Sequence, residues 1–173
     1  MPITLTSFSD DPLCGGHQWI VNDIDLLALQ IARVALGQSR HVKKIIDGWT
    51  GPIPLPPQNA VANAIKLLTV PSRADPYHRD GWMFQVMSWI AAHKAAPGAV
   101  IRAPQMIHAD KGFDGLQLEI DEFSLQVSAA IIFEDKATDD PRGTIQQKVW
   151  PEIQKLESGE RENVLLAETV SLL

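Results

Sequence analysis

The sequence predicts an α/β protein in which a mixed sheet is flanked by helices and preceded by an N-terminal helical extension. Three observations carry this. Apolar residues recur at spacings of three and four over 22–36, 58–69 and 76–94. The spacing changes to two between Ala99 and Thr138. A helical signal returns after Pro141, and an apolar segment follows it.

Taken in order, residues 1–17 hold turn signals, Ser9-Asp10-Asp11-Pro12 and Gly15-Gly16. Asn22 or Asp23 can cap a helix carrying Ile24, Leu27, Ile31, Val34 and Ala35, with Gly37 as its stop. Ser39-Arg40-His41-Val42-Lys43-Lys44 is the basic cluster of the chain, either a solvated helix face or a phosphate contact. Four prolines between Pro52 and Pro57 exclude helix and central strand and leave a stiff extended connector. Val61, Ala64, Ile65 and Leu68 line one face of a second helix, which Pro71 ends. Residues 72–76 form a further connector. The main boundary is placed there, giving a helical extension over 1–75 and a core over 76–173.

The core opens with a helix from about Pro76 to Lys94, where Trp82, Val86, Trp89 and Ile90 make one apolar stripe and His93 extends it. Ala99–Ala103 is a short strand. Leu116, Leu118 and Ile120 alternate with Gln117, Glu119 and Asp121, which predicts a strand with one polar face. After a turn near Asp121, a longer strand over 123–138 has an apolar centre, Val127 to Phe133, as expected of a buried central strand. A helix follows Asp140-Pro141, which Pro151 must kink or restart. Val164–Leu166, extending toward Leu173, is assigned as a last strand.

Composition excludes several classes. With 45% hydrophobic and 21% charged residues, a chain of 173 residues has enough apolar material for a core. No apolar run is long enough to span a bilayer, and Met1 is not followed by a secretory signal, so a cytoplasmic protein is expected. One cysteine, Cys14, excludes an internal disulfide framework and a cysteine zinc site. The scattered His17, His41, His78 and His108 show no zinc spacing. The formal net charge is −6, and all of the excess acid lies after residue 75. A broad basic surface for gripping phosphates is therefore missing.

One constellation points to chemistry. Glu134 and Lys136 are two apart on a predicted strand, so they share a face at its polar end. A hairpin turning near 121–123, with a bulge to absorb a two-residue offset, brings Asp114 to the same end. Two carboxylates held side by side call for a positive charge between them. A divalent cation with hard oxygen ligands supplies it, and the Asp135 backbone carbonyl is a third oxygen. Lys136 beside it would orient water or stabilise charge on phosphate. Alternatively, Glu134 and Lys136 form an ordinary surface ion pair.

The order Gly112-Phe113-Asp114-Gly115, about twenty residues, then Phe133-Glu134-Asp135-Lys136 resembles the PD-(D/E)xK nuclease superfamily. The resemblance covers roughly 76–170. It implies a restriction-endonuclease-like core and a metal-dependent nuclease acting on DNA, with Asp114 and Glu134 binding Mg²⁺ or Mn²⁺ and Lys136 assisting hydrolysis. It implies a further glutamine on the next helix, Gln147 or else Gln146, and a partner subunit or homo-oligomer in a restriction or phage-defence setting. Phe113 stands where the family name has proline. The first core helix offers Gln85, and Asp80 at its start, where many members carry Glu. Lys111, Arg142 and Lys148 are the candidate nucleic-acid contacts, and Asp110 a candidate outer carboxylate. The alternative function is a catalytically silent module of the same fold used for protein assembly, with 1–70 as its surface. A third is an unrelated α/β protein that binds a small molecule.

Overall fold

The structure is a computed structural model that describes residues 2–12, 14–106 and 112–173. The chain begins with an antiparallel hairpin, β1 (Ile3–Asp10) and β2 (Cys14–Val21), in register Ile3↔Val21 to Asp10↔Cys14. The segment 1–75, expected as a helical extension, therefore begins with a hairpin ahead of its helices. The turn signals at Asp11-Pro12 sit between two strands whose residues are mostly exposed, so burial imposes little alternation on them.

Three helices follow. Asp23 caps α1 (Ile24–Ala35), its Oδ1 accepting from the Leu26 N–H at 2.9 Å. Gly37 takes a φ of 77°, the left-handed stop that lets α2 (Ser39–Ile46) turn away. The proline connector runs without regular structure to α3 (Gln58–Leu68), tied by the Gln38 side chain to the Pro54 carbonyl at 2.8 Å. Asp75 then accepts from the Tyr77 N–H at 2.9 Å and starts α4 (Tyr77–Ala95).

Helix α4 is the organising element. Its Trp82, Val86, Trp89 and Ile90 form one buried cluster with Ile3 of β1, Leu27, Ile31 and Val34 of α1, Val42 of α2 and Ala64 of α3. The core thus joins residues on both sides of the 72–76 connector. Trp19 of β2 packs on Phe84 with ring centroids 5.7 Å apart. Lys43 pairs with Asp47 at 2.7 Å, and Lys44 lies over the Trp49 ring. The basic cluster is therefore engaged locally, beside the C-terminal end of α4.

A second sheet has the order β3 (Val100–Ile101), β4 (Gly115–Ile120), β5 (Val127–Phe133). Both pairings are antiparallel, so the sheet is not mixed as expected. Nor is β5 the central strand. It lies at the edge and is half exposed, whereas β4 is buried from Gly115 to Leu118. Gln117, assigned to a polar face, is 6% exposed. The C-terminal helix packs against β4, and this removes the solvent face that the alternation predicted.

After β5 come α5 (Pro141–Thr144), capped by the Asp140 side chain, a π-helical turn (Ile145–Val149) and α6 (Trp150–Glu157). In the π turn the Trp150 N–H bonds to the Ile145 carbonyl, one residue further back than in an α-helix. Pro151 follows directly. Pro151 thus stands in the first turn of α6, where a missing N–H costs nothing, and the helix restarts there after the π turn, one of the two outcomes expected. Gly159 ends α6 at a φ of 81°. The last element is α7 (Glu162–Leu172), a helix where a strand was assigned. Leu165, Leu166, Ala167 and Glu168 are strong helix formers, and a short apolar run does not distinguish the two states.

His93 lies in this interior, 2% exposed, edge-on to the Trp89 ring at 4.6 Å. Its Nε2 has no hydrogen-bond partner among the described residues. Burial, then the nearby Lys43 charge, lower its pKa to about 4, against a smaller opposing pull from Asp47. The unfolded chain takes up this proton below about pH 6.5 and the folded chain does not until about pH 4. Stability from this group is present above that window and is lost as pH falls through it. The difference in urea stability between His93→Phe and the wild type is expected to move toward the variant by about 2–3 kcal/mol from pH 7.5 to pH 4.5. A pH-independent difference would count against the buried, neutral imidazole.

Candidate active site

The site is built by the end of one hairpin and the middle of one helix. In the β4–β5 ladder Gly115 pairs with Phe133 and Leu116 with Ile132. The next step outward sets Asp114 against Glu134. A bulge at Glu119/Ile120 absorbs the offset near the turn. The Phe133 ring lies across Gly115, where a Cβ would meet its Cδ2 at 2.8 Å. Glycine there lets the ring close over the ladder at the step before the carboxylates.

Three oxygens converge on one nitrogen. Lys136 Nζ donates to Glu134 Oε1 at 2.5 Å, Asp114 Oδ2 at 3.0 Å and the Asp135 carbonyl at 3.2 Å. The other oxygen of Asp114, Oδ1, accepts from Gln85 Nε2 of α4 at 2.6 Å. The Asp135 N–H donates to Asp114 Oδ2 at 2.9 Å. Asp114, Glu134 and Lys136 have side chains 20%, 22% and 25% exposed, so water screens them only in part.

Burial pulls the Lys136 ammonium toward neutrality, but hydrogen bonds and charge from Glu134 and Asp114 outweigh it and hold the pKa above the usual lysine value. Lys136 is therefore a fixed cation. Burial pushes the Asp135 carboxyl up to about 6. A hydrogen bond with Ser88 opposes the rise, the charges of Asp114 and Glu134 add to it, and Lys136 subtracts.

Asp114, Asp135 and Lys136 also face a cavity of about 400 Å³ between the first turns of α4 and the segment from Ala137 to Lys148. Lys148 lines it. Gln147 and Gln146 are exposed on the π turn and Arg142 is exposed on α5, and none of the three lines it. Asp80 pairs with Arg79 instead of joining the carboxylates. Lys111, Asp110 and His108 lie outside the described residues. Sequence reasoning did not single out Tyr77, Thr138 or Thr144 as site residues, and it set His78 aside for lacking zinc spacing; all four line the cavity. Their separation in sequence left no motif. Gln85 carried a signal only as a departure from an expected Glu.

Phe113, the residue next to Asp114, is clamped. Arg102 pairs with Glu168 of α7 at 2.7 Å, and its Nη2 donates to the Phe113 carbonyl. Arg161 stands over the Phe113 ring at 4.5 Å. Phe113 is 2% exposed, so the residue adjoining Asp114 is fixed on both its polar and its apolar side.

Among the described residues no group of three or more His, Cys, Asp or Glu side chains is gathered to hold a metal. The donors that do converge are two carboxylates and a main-chain carbonyl. All are hard oxygens of the kind Mg²⁺ and Mn²⁺ take together with water, and none of the three is an imidazole or thiolate of the kind that favours zinc.

Removing the shared cation tests the arrangement. In metal-free buffer Lys136→Met is expected to cost about 1–3 kcal/mol by urea denaturation, because two part-buried carboxylates lose their counter-charge. The double variant with Glu134→Gln should lose less than the sum of the single variants. Strict additivity would deny the bridging contact.

No protein-family model, curated protein or solved structure matches the chain.

Proposed function

We propose that this protein is a divalent-metal-dependent phosphodiesterase, a nuclease of the PD-(D/E)xK type acting on DNA. The observation that carries the reading is the convergence of Asp114 Oδ2, Glu134 Oε1 and the Asp135 carbonyl on one point, held by the Lys136 ammonium. These three oxygens would hold Mg²⁺ or Mn²⁺. When bound, the metal lowers the pKa of water and neutralises charge at the phosphate. The chain's own groups do the rest. Gln85 fixes Asp114 through Oδ1, which leaves Oδ2 turned toward the shared point. Lys136, a protonated donor, binds a phosphate oxygen or orients the attacking water. It does not act as a base. The clamp of Arg102 and Glu168 on the Phe113 segment keeps Asp114 in place.

The net charge of −6 supports help from a partner subunit or a second copy in gripping long DNA. No helix among the described residues is long and apolar enough to cross a membrane.

Calorimetric titration of Mn²⁺ into the wild type and Glu134→Ala, followed by nicking of a single-stranded circular DNA and of a supercoiled plasmid with both proteins, tests the reading. Binding and nicking in the wild type are expected, both at least tenfold weaker in the variant. Binding without nicking would point to a missing partner. Absence of binding in the wild type would discard the metal site and leave the assembly module.

A further inference from the structure

The cavity in front of the carboxylates has a shape and lining that say more about the substrate than the carboxylates do. Its volume of about 400 Å³ falls within the range, about 300–1,000 Å³, that encloses small ligands. It is a recess; Asp114 and Lys136, which line it, have side chains only 20% and 25% exposed, and Glu134 reaches them from outside the lining through Lys136. A duplex presents a convex, regularly spaced phosphate surface with its bases stacked inside. Its backbone cannot enter such a recess without opening. A single strand can turn one nucleotide into it.

The walls supply what one nucleotide needs. Tyr77, at the start of α4, is 56% exposed although it lines the cavity, and it meets His78 edge-on at 5.4 Å. An exposed aromatic ring beside a recess is a platform on which a base can stack without regard to its sequence. Opposite stand Lys148, which makes no ion pair among the described residues, and the hydroxyls of Thr138 and Thr144, 3.0 Å apart. They are an ammonium and a hydroxyl pair in which one O–H bonds the other oxygen, leaving one O–H to donate to phosphate. Asp139 also lines this wall and restricts how close a second phosphate comes. The acidic net charge agrees: the chain lacks the broad basic face that grips duplex DNA, while a recess needs only local cations.

We propose that this cavity is a subsite for one unstacked nucleotide, with the base on Tyr77 and a phosphate on Lys148, so that the substrate is a single strand or a splayed strand end. The assignment rests on the phosphodiesterase reading for what happens next, but not for binding.

Binding is measured by fluorescence anisotropy in EDTA, with the full chain and one labelled oligodeoxynucleotide offered as a single strand and as a blunt hairpin duplex. The single strand is expected to bind at least tenfold tighter. Tyr77→Ala should weaken it about tenfold while Tyr77→Phe preserves it. Lys148→Gln should lower the slope of log affinity against log salt by about 0.7. Equal or tighter duplex binding, no binding to either probe, or indifference to Tyr77→Ala would overturn the subsite. A mononucleotide that competes as well as the strand would reassign the cavity to free nucleotides. Strand binding that depends on Tyr77, without Mn²⁺ binding or nicking, would leave the subsite standing and remove the nuclease reading. Nicking with a duplex preference would do the reverse.

Discussion

Asp114 and Glu134 meet because Phe133 lies over Gly115. That contact sits at the last paired step of the β4–β5 ladder, one residue before each carboxylate, and the bulge near the turn lets the remaining pairs follow. A side chain at Gly115 would push Phe133 away and disturb the ladder at this step. A register slip of one residue would turn Asp114 to the opposite face from Glu134. Lys136 would then lose one of its two carboxylates, and Gln85 would face no acceptor. The clamp formed by Arg102, Glu168 and Arg161 reinforces the same point from the other side of the sheet. Several elements thus spend their contacts on the position of one aspartate.

The electrostatics follow from this geometry. Two carboxylates with about a fifth of their surface in water repel strongly unless a cation lies between them. Lys136 is that cation in the folded chain. Its hydrogen bonds to three oxygens satisfy them without closing the site, since an ammonium on a flexible stem can be exchanged for another positive centre with little rearrangement of the backbone. Asp135 sits beneath, its own carboxyl raised by burial against Ser88 while its carbonyl and N–H both serve the site. One residue thus contributes to the cluster through its backbone and to the floor through its side chain.

Much of this was legible in the chain. The helices α1, α3 and α4 follow the three-and-four spacing of Leu27, Ile31 and Val34, of Ala64 and Leu68, and of Trp82, Val86 and Trp89. The hairpin that joins Asp114 to Glu134 was legible because Leu116, Leu118 and Ile120 alternate. Other parts were not. The β1–β2 hairpin is largely exposed, so its strands carry little hydrophobic period and only the turn residues stood out. The helix α7 has no buried residue and is held to the sheet through Arg102 and Glu168, an ion pair between residues far apart in sequence. Gln117 looked solvent-facing because nothing in β4 itself announces that α7 covers it. The cavity was hidden for a similar reason: Tyr77 and Thr138, far apart in sequence, come to line one cavity only in the folded chain.

The π turn before Pro151 bears on how this chain can change over generations. Such a turn is one residue inserted into an α-helix, and each residue of helix corresponds to about 100° of rotation. The insertion lets the helix restart at a proline. It also sets the angle between the segment carrying Lys148, on the cavity wall, and α6, whose Glu152 reaches Arg161 beside Phe113. Losing one residue from Ile145–Val149 would restore regular pitch, press the Pro151 ring on a carbonyl and swing the cavity wall away from α6. Away from Lys148, substitutions in this stretch are therefore less disruptive to the fold than a change in its length, and descendants of this sequence should vary at those positions in letters while keeping their count.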